Sequence, residues 1–211
     1  MTPSFSSPPS PPSHPHPSPW AMIKNISLEY IFFQYLVRQL IPSTSYLMDF
    51  ATFIPVSFLF EIVFDFFHYC SHRMVHEIPV LYAYSHKTHH THLFVTVYDT
   101  YLEDLSELVL TNCIPVYLTL CCFPSMSVHM FFIIFTYKKY GEICGHCGKQ
   151  CYPVGCFPQC IWIPRMLGIE LYSENHSDHH YHGNCNYSKR FSLFDKLFGT
   201  YRAIKYKMST H

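Results

Sequence analysis

The chain has 211 residues, with 14 Lys+Arg against 14 Asp+Glu and so no formal net charge. Only 13% of residues are charged, 18% are aromatic, and the mean hydropathy is slightly positive. This balance excludes a disordered chain and a nucleic-acid binder, argues against an ordinary soluble domain, and fits one compact unit with much of its surface in lipid.

Residues 1–20 contain eight Pro and six Ser. Such a stretch cannot bury enough surface to fold, so it reads as a disordered tail. His14 and His16 belong to the tail and are given no role. No secretory signal peptide is read there, because the segment is not apolar. Residues 21–207 then read as the membrane-embedded domain.

Residues 26–41 are strongly apolar apart from Glu29 and Arg38. They read either as a short membrane helix or as a helix lying at the interface. Residues 50–67 form the clearest span, and a membrane helix tolerates its Pro55 if neighbours absorb the kink. Glu61 and Asp65 share one face of it, four residues apart, and near hydrocarbon such a pair should point inward. From Leu105 to Tyr137 the only charge is Glu107. Pro115 and Pro124 punctuate this run, and Cys121-Cys122-Phe123 marks the expected bend. Two segments of about 19 residues, 104–122 and 124–142, would each cover about 28 Å. A re-entrant hairpin is the alternative, and either way the chain returns to the side it left. The expected architecture is an all-α integral membrane protein of about four membrane helices. A histidine-rich di-metal cap would lie on its cytosolic face. Lys189, Arg190, Lys196, Arg202, Lys205 and Lys207 place the C-terminus in the cytosol.

Sixteen histidines are the second anomaly. Three clusters stand out: His68 and His72, then His86, His89 and His90, then His176, His179 and His180. On a helix, positions i, i+3 and i+4 share a face, so each cluster aims several ring nitrogens at one point. Neutral imidazole suits Fe, Zn, Cu and Ni. One mononuclear site needs three or four ligands, so eight point to two metals. An even number of crossings between the second and third clusters brings all three to one membrane face. His76, four beyond His72, and His146, directly after the hairpin, are further candidate ligands. His92 and His182 read as solvent-facing or supporting residues, and His129 as an ordinary polar residue. The ten cysteines read as reduced. Cys144, Cys147, Cys151, Cys156 and Cys160 have spacings too irregular for a convincing zinc site.

These motifs resemble the fatty acid hydroxylase/sterol desaturase superfamily of membrane di-iron oxygenases. The boxes HxxxH, HxxHH and HxxHH appear here as HYCSH, HKTHH and HSDHH. Asp65 with His72-Arg73-Met74-Val75-His76 resembles the D…HRxxH stretch. Gly145-His146-Cys147-Gly148 resembles the GHSG element with Cys147 replacing Ser, and Asn186-Tyr187 resembles the pair after the last box. Phe194-Asp195 through Gly199-Thr200 resembles the closing W-D-x-x-F-G-T with Phe194 replacing Trp. The resemblance covers roughly 50–207. Glu103, Asp104 and Glu107 are alternatives for the family's acidic position after the second box.

The resemblance implies O2-dependent hydroxylation or desaturation of a sterol, fatty acid or sphingolipid at two Fe ions. It implies an apolar lipid substrate in a dry pocket, and endoplasmic-reticulum residence. Electrons would come from NAD(P)H through a reductase and cytochrome b5 or a similar donor, since no flavin, nicotinamide or haem fingerprint is present. Metal-bound histidines need acceptors for their outer ring N–H groups, and Asp65, Asp178 and Glu61 are the expected carboxylates. The rival readings are a membrane zinc-dependent enzyme and a histidine-rich metal-binding or transport protein.

Overall fold

A computed structural model describes residues 18–91, 97–146 and 155–204. The tail with His14 and His16, His92, Cys147-Gly148, Cys151, Lys205 and Lys207 lie outside the described residues. The described part is all α.

Helix α1 is Pro19–Val37, with Pro19 in its first turn and Ser18 capping it by accepting the Ala21 N–H. A proline there has no N–H to waste, and the serine oxygen satisfies one open donor. Helix α2, Tyr46–Glu77, is 32 residues long and starts at the Ser45 cap. It carries Pro55 in its interior without ending. At 1.5 Å per residue it is about 48 Å long, well beyond the roughly 30 Å hydrocarbon of a bilayer. It is the one described helix both long and apolar enough to cross a membrane. Its excess length carries His68, His72 and His76.

The run that reads as a hairpin folds as one. Helix α3, Leu105–Cys121, is apolar but shorter, and its middle turn, Leu108–Cys113, is wound as a π-helix. Cys122 to Ser127 make the turn, and the Ser127 hydroxyl caps α4, Val128–Gly145. The break falls at the Cys121-Cys122-Phe123 bend. Near it, Ile41 between α1 and α2 pairs its backbone with Met126 and Val128. At the other end, Asn25 of α1 donates to the Tyr101 and Glu103 carbonyls, and Ser106 of α3 donates to the Tyr84 carbonyl. The four helices therefore run alternately down and up. Leu36, Phe53, Phe60, Phe64, Val116, Leu120, Phe131 and Ile134 fill the core between them. Trp20, Ile31, Phe50, Leu59, Leu118 and Phe132 point outward. Apolar surface on the outside of all four helices is surface that water does not favour.

The C-terminal third wraps the upper end of α2. It contains α5, Trp162–Met166, α6, Ser173–His182, and α7, Leu193–Leu197. Helix α6 ends at Gly183, whose φ of 71° is a left-handed cap that favours glycine. Asp65 of α2 accepts the backbone N–H groups of Lys189, Arg190 and Phe191 at 2.7–3.0 Å. The Arg190 side chain reaches Glu61 at 3.0 Å and the Lys138 carbonyl at 2.7 Å. Gly141 leaves room for that guanidinium, because a Cβ there would collide with Arg190 Nη1. Glu61 and Asp65 do point inward, as membrane logic requires, and their partners are this returning segment.

Candidate metal centre

Five segments converge at the upper end of the bundle. Helix α2 supplies His72 and His76, one turn apart. A π-turn at Tyr82–His86 and a short 3-10 turn at His89–Thr91 supply His86, His89 and His90. The end of α4 supplies His146, and α6 supplies His176, His179 and His180. Their ring nitrogens form two groups. His72, His76, His86, His90 and His179 make one, and His89, His146, His176 and His180 make the other, each with nitrogens within 4.8 Å of one another. The spacing explains the sorting. The i,i+4 pairs 72/76, 86/90 and 176/180 each stay together. The i+3 members, His89 and His179, cross to the opposite group. Among the described residues no cysteine joins either group.

The chemistry of the donor set tests whether a cation fits. His72 Nδ1 meets the Tyr187 carbonyl at 2.8 Å, His179 Nδ1 the Cys185 carbonyl at 2.8 Å, and His146 Nδ1 the Glu142 carbonyl at 2.9 Å. His86 Nδ1 meets Glu107 Oε1 at 2.8 Å. The three carbonyl oxygens only accept, so Nδ1 of His72, His179 and His146 carries the proton and Nε2 of each keeps a lone pair. Yet His72 Nε2 lies 3.2 Å from His86 Nε2, and His176 Nε2 lies 3.0 Å from His146 Nε2. His179 Nε2 is 3.1 Å from both His76 and His90. The Nε2 lone pairs of His72, His146 and His179 are thus each aimed at another imidazole nitrogen about 3 Å away. Burial holds His86, His89, His176, His179 and His180 well below the ordinary imidazole range. Burial likewise lowers His90 and His146 to about 4. Two imidazoles bound to one metal at about 2.0–2.1 Å stand roughly 3.0–3.4 Å apart. The residues present fit a metal ion in each group.

The expected site residues sort as follows. His72, His86, His89, His90, His176, His179 and His180 enter the groups, and so do His76 and His146. His68 enters neither. It sits one turn down α2, with Nδ1 on the Thr111 carbonyl at 2.7 Å and its ring 5.1 Å from His72. The carboxylates assigned to receive histidine N–H groups have other partners. Asp65 holds the backbone of 189–191, and Glu61 holds Arg190. Asp178 faces Asn186, Arg202 and the peripheral His182. The acceptors are instead backbone carbonyls and Glu107. A carbonyl leaves no mark in a sequence. Glu107 did leave one, as the only charge in its run.

The carbonyl of Tyr187 is itself held in place. Asp195 accepts the N–H groups of Tyr187 and Ser188 at 2.8 and 2.9 Å. Asn186 before them has φ 54°, a left-handed geometry that asparagine tolerates better than most residues. Between the histidines and the bundle lies a cavity lined by His68, His72, His86, His89, His146, His176, Thr100, Glu103, Glu107, Thr111, Asn112, Lys139, Glu142, Tyr187, Ser188 and Lys189. Among the described residues no aliphatic side chain lines it. Below it, Lys139 pairs with Glu29 and Glu142, Lys138 with Glu142, and Lys189 with Glu142.

Comparison with known proteins was made on this geometry. The model of a family described as fatty acid hydroxylase matches residues 57–200. The chain is 32% identical over 149 residues to the fatty acid hydroxylase vlmA of Lecanicillium sp, covering 67% of this chain and 40% of that protein. It is 30% identical over 146 residues to a cholesterol 25-hydroxylase-like protein of Danio rerio, covering 66% of this chain and 52% of that one. The chain thus spans about half, or less, of the length of these relatives. No solved structure matches.

Proposed function

We propose a function from the premise that this chain belongs to the fatty acid hydroxylase/sterol desaturase superfamily: it oxidises a C–H bond of a lipid with O2, by hydroxylation or desaturation. Two iron ions bound by the histidine groups would supply the oxygen activation that the protein's own side chains lack. The observation that carries this reading is the convergence of nine buried or half-buried imidazoles into two adjacent groups, each with its ring nitrogens within 4.8 Å of one another.

The chain's residues have definable tasks. His72, His76, His86, His90 and His179 hold one ion, and His89, His146, His176 and His180 the other. His68 lines the adjoining cavity with its Nδ1 anchored in the same way, and serves as a further donor. Glu107 and the carbonyls of Tyr187, Cys185 and Glu142 fix the ring orientations and raise the basicity of the bound nitrogens. Asp65 and Asp195 clamp 187–191 and so hold the Tyr187 carbonyl in place. Burial keeps the imidazoles unprotonated and available as ligands.

The same arrangement supports a membrane placement as part of this proposal. All four long helices cross or line the bilayer, and both groups sit at one face. That arrangement suits catalysis at a surface and not a path for ions across it. Orientation toward the cytosol rests on fewer charges than the sequence suggested, because Lys189 and Arg190 turn inward to Glu142 and Glu61. Lys196 and Arg202 remain among the described basic residues. The endoplasmic reticulum is the proposed membrane, and NAD(P)H with a reductase and cytochrome b5 or a similar carrier is the proposed electron source.

The test is anaerobic purification, measurement of iron and zinc per chain, and assay of lipid product with and without O2. Two iron per chain with O2-dependent product is expected. Zinc-supported turnover without O2 would replace the oxygenase reading with a hydrolytic one.

A further inference from the structure

A second cavity opens at the end of the bundle away from the histidines. Its volume is about 300 Å³, against about 50 Å³ for the one beside the histidines. Small-molecule sites begin at about 300 Å³. Asp49, Thr52 and Val56 of α2, the 123–127 turn of the hairpin and Met130 of α4 line it. His72 stands about 34 Å further along α2 at 1.5 Å per residue, so a molecule held here does not reach the metal groups.

The cavity has two kinds of wall. Val56, Phe123, Met126 and Met130 also belong to the bundle core, so one wall is apolar. The other wall is polar, and it mostly accepts. Asp49 Oδ2 receives the Ser43 and Ser127 hydroxyls at 2.7 and 2.8 Å and lies 3.3 Å from His129 Nδ1. Asp49 Oδ1 receives no hydrogen bond from the described residues. The Thr52 hydroxyl donates to the Met48 carbonyl at 2.8 Å, which leaves its oxygen free to accept. The Ser127 hydroxyl donates to Asp49 and accepts the Met130 N–H. Among the described side chains lining the cavity, only the exposed Ser125 keeps an uncommitted donor, and no Lys or Arg is present.

This wall selects its guest by charge and by donors. A carboxylate or phosphate would meet Asp49 with no cationic side chain to hold it. A hydroxyl brings one donor and no charge. A primary ammonium brings positive charge, three N–H donors and no acceptor, which matches Asp49 Oδ1 and Thr52 Oγ1.

We propose that this cavity binds an amphiphile with a primary ammonium head, seated on Asp49 and Thr52 with its apolar chain against Val56, Phe123 and Met130. The site is separate from the metal centre, and its occupant is bound there and not oxidised. By bridging the start of α2 and the hairpin turn, it fastens the lower end of the bundle. A single-chain amine suits the cavity better than an aminophospholipid, because no Lys or Arg lines it to receive a phosphate.

The test uses the full, iron-loaded chain in nanodiscs of phosphatidylcholine, whose head group has no N–H. It measures the rise in unfolding temperature with dodecylamine, dodecyltrimethylammonium and dodecanol at equal mole fraction in the bilayer. Charge-assisted hydrogen bonds that only the amine can make predict apparent binding about tenfold tighter for dodecylamine than for either of the others. Asp49→Asn should remove that preference. Val56→Trp, which fills the cavity and leaves Asp49 in place, should remove it too. Equal stabilisation by the three probes in the wild-type chain overturns the proposal even if a variant fails to fold, and so does a preference that survives in both variants. Exchanging part of the phosphatidylcholine for phosphatidylethanolamine separates the sources of the head group. A rise that dodecylamine cannot add to supports the ammonium site with the bilayer as its source, and a rise with dodecylamine alone supports it with a single-chain amine.

Discussion

The two ends of the four-helix bundle both place a histidine beside a carboxylate, and only one of them builds a metal centre. At the lower end His129 Nδ1 lies 3.3 Å from Asp49 Oδ2, which also receives the Ser43 and Ser127 hydroxyls. At the upper end His86 Nδ1 lies 2.8 Å from Glu107. The His129 side chain is 35% exposed, while that of His86 is 1% exposed. Among the described residues His129 joins no group of candidate metal ligands, and four other imidazoles converge with His86. A histidine–carboxylate pair is therefore not the signature of the site. The signature is several imidazoles, most of them buried, whose ring nitrogens are gathered within 4.8 Å by segments far apart in the chain.

That contrast can be broken most severely at His179, which faces His76 and His90 and is anchored by the Cys185 carbonyl. His179→Ala should reduce lipid product to background and lower iron to about one ion per chain or less, read by elemental analysis. Normal turnover with two iron per chain would remove His179 from the ligand set.

Glu107 comes next. Glu107→Ala should lower iron affinity or turnover about 10–100-fold, and Glu107→Gln, which still accepts from His86, should restore part of it. If both variants behave alike, the carboxylate does not orient His86.

Asp65 tests the support rather than the ligands. Asp65→Ala leaves three backbone N–H groups without their acceptor inside the protein. At about 1.5–3 kcal/mol per charge-assisted bond, a loss of several kcal/mol is expected, with Asp65→Asn less severe. Thermal unfolding in nanodiscs measures it, and an unchanged midpoint for Asp65→Ala would show that the 189–191 segment is held by other contacts.

The smallest effect belongs to the lower end. His129→Ala should keep iron content and turnover at wild-type values and change stability by less than about 1 kcal/mol, as partly exposed pairs do. A large loss of iron on this substitution would mean that the two ends are coupled.

Much of this was legible before any coordinates. The hairpin bend at Cys121-Cys122-Phe123, the long α2 and the gathering of the histidine clusters at one end of the bundle follow from apolar run lengths and prolines. The i,i+4 spacings of 86/90 and 176/180 carry through unchanged. The first cluster was less readable. His68/His72 and His72/His76 have the same spacing, and spacing alone does not say which turn of α2 stands level with α6. The supporting groups were least readable. Asp65 and Asp178 were expected to meet histidines because carboxylates are visible in a sequence, while the carbonyls of Tyr187, Cys185, Glu142 and Thr111 are not. The polarity of the cavity was also hidden, since it depends on Thr100, Lys139 and Ser188 arriving from three separate segments.

By itself the sequence determined which stretches avoid water and which histidines share a helical face, because both are local properties of residue type and helical period. Only the tertiary structure decided how nine imidazoles divide between two groups, which oxygens anchor them, and that the cavity beside them is polar. Those are contacts between segments far apart in the chain, set by how α2, the hairpin and α6 pack together, and no local pattern encodes such a distance.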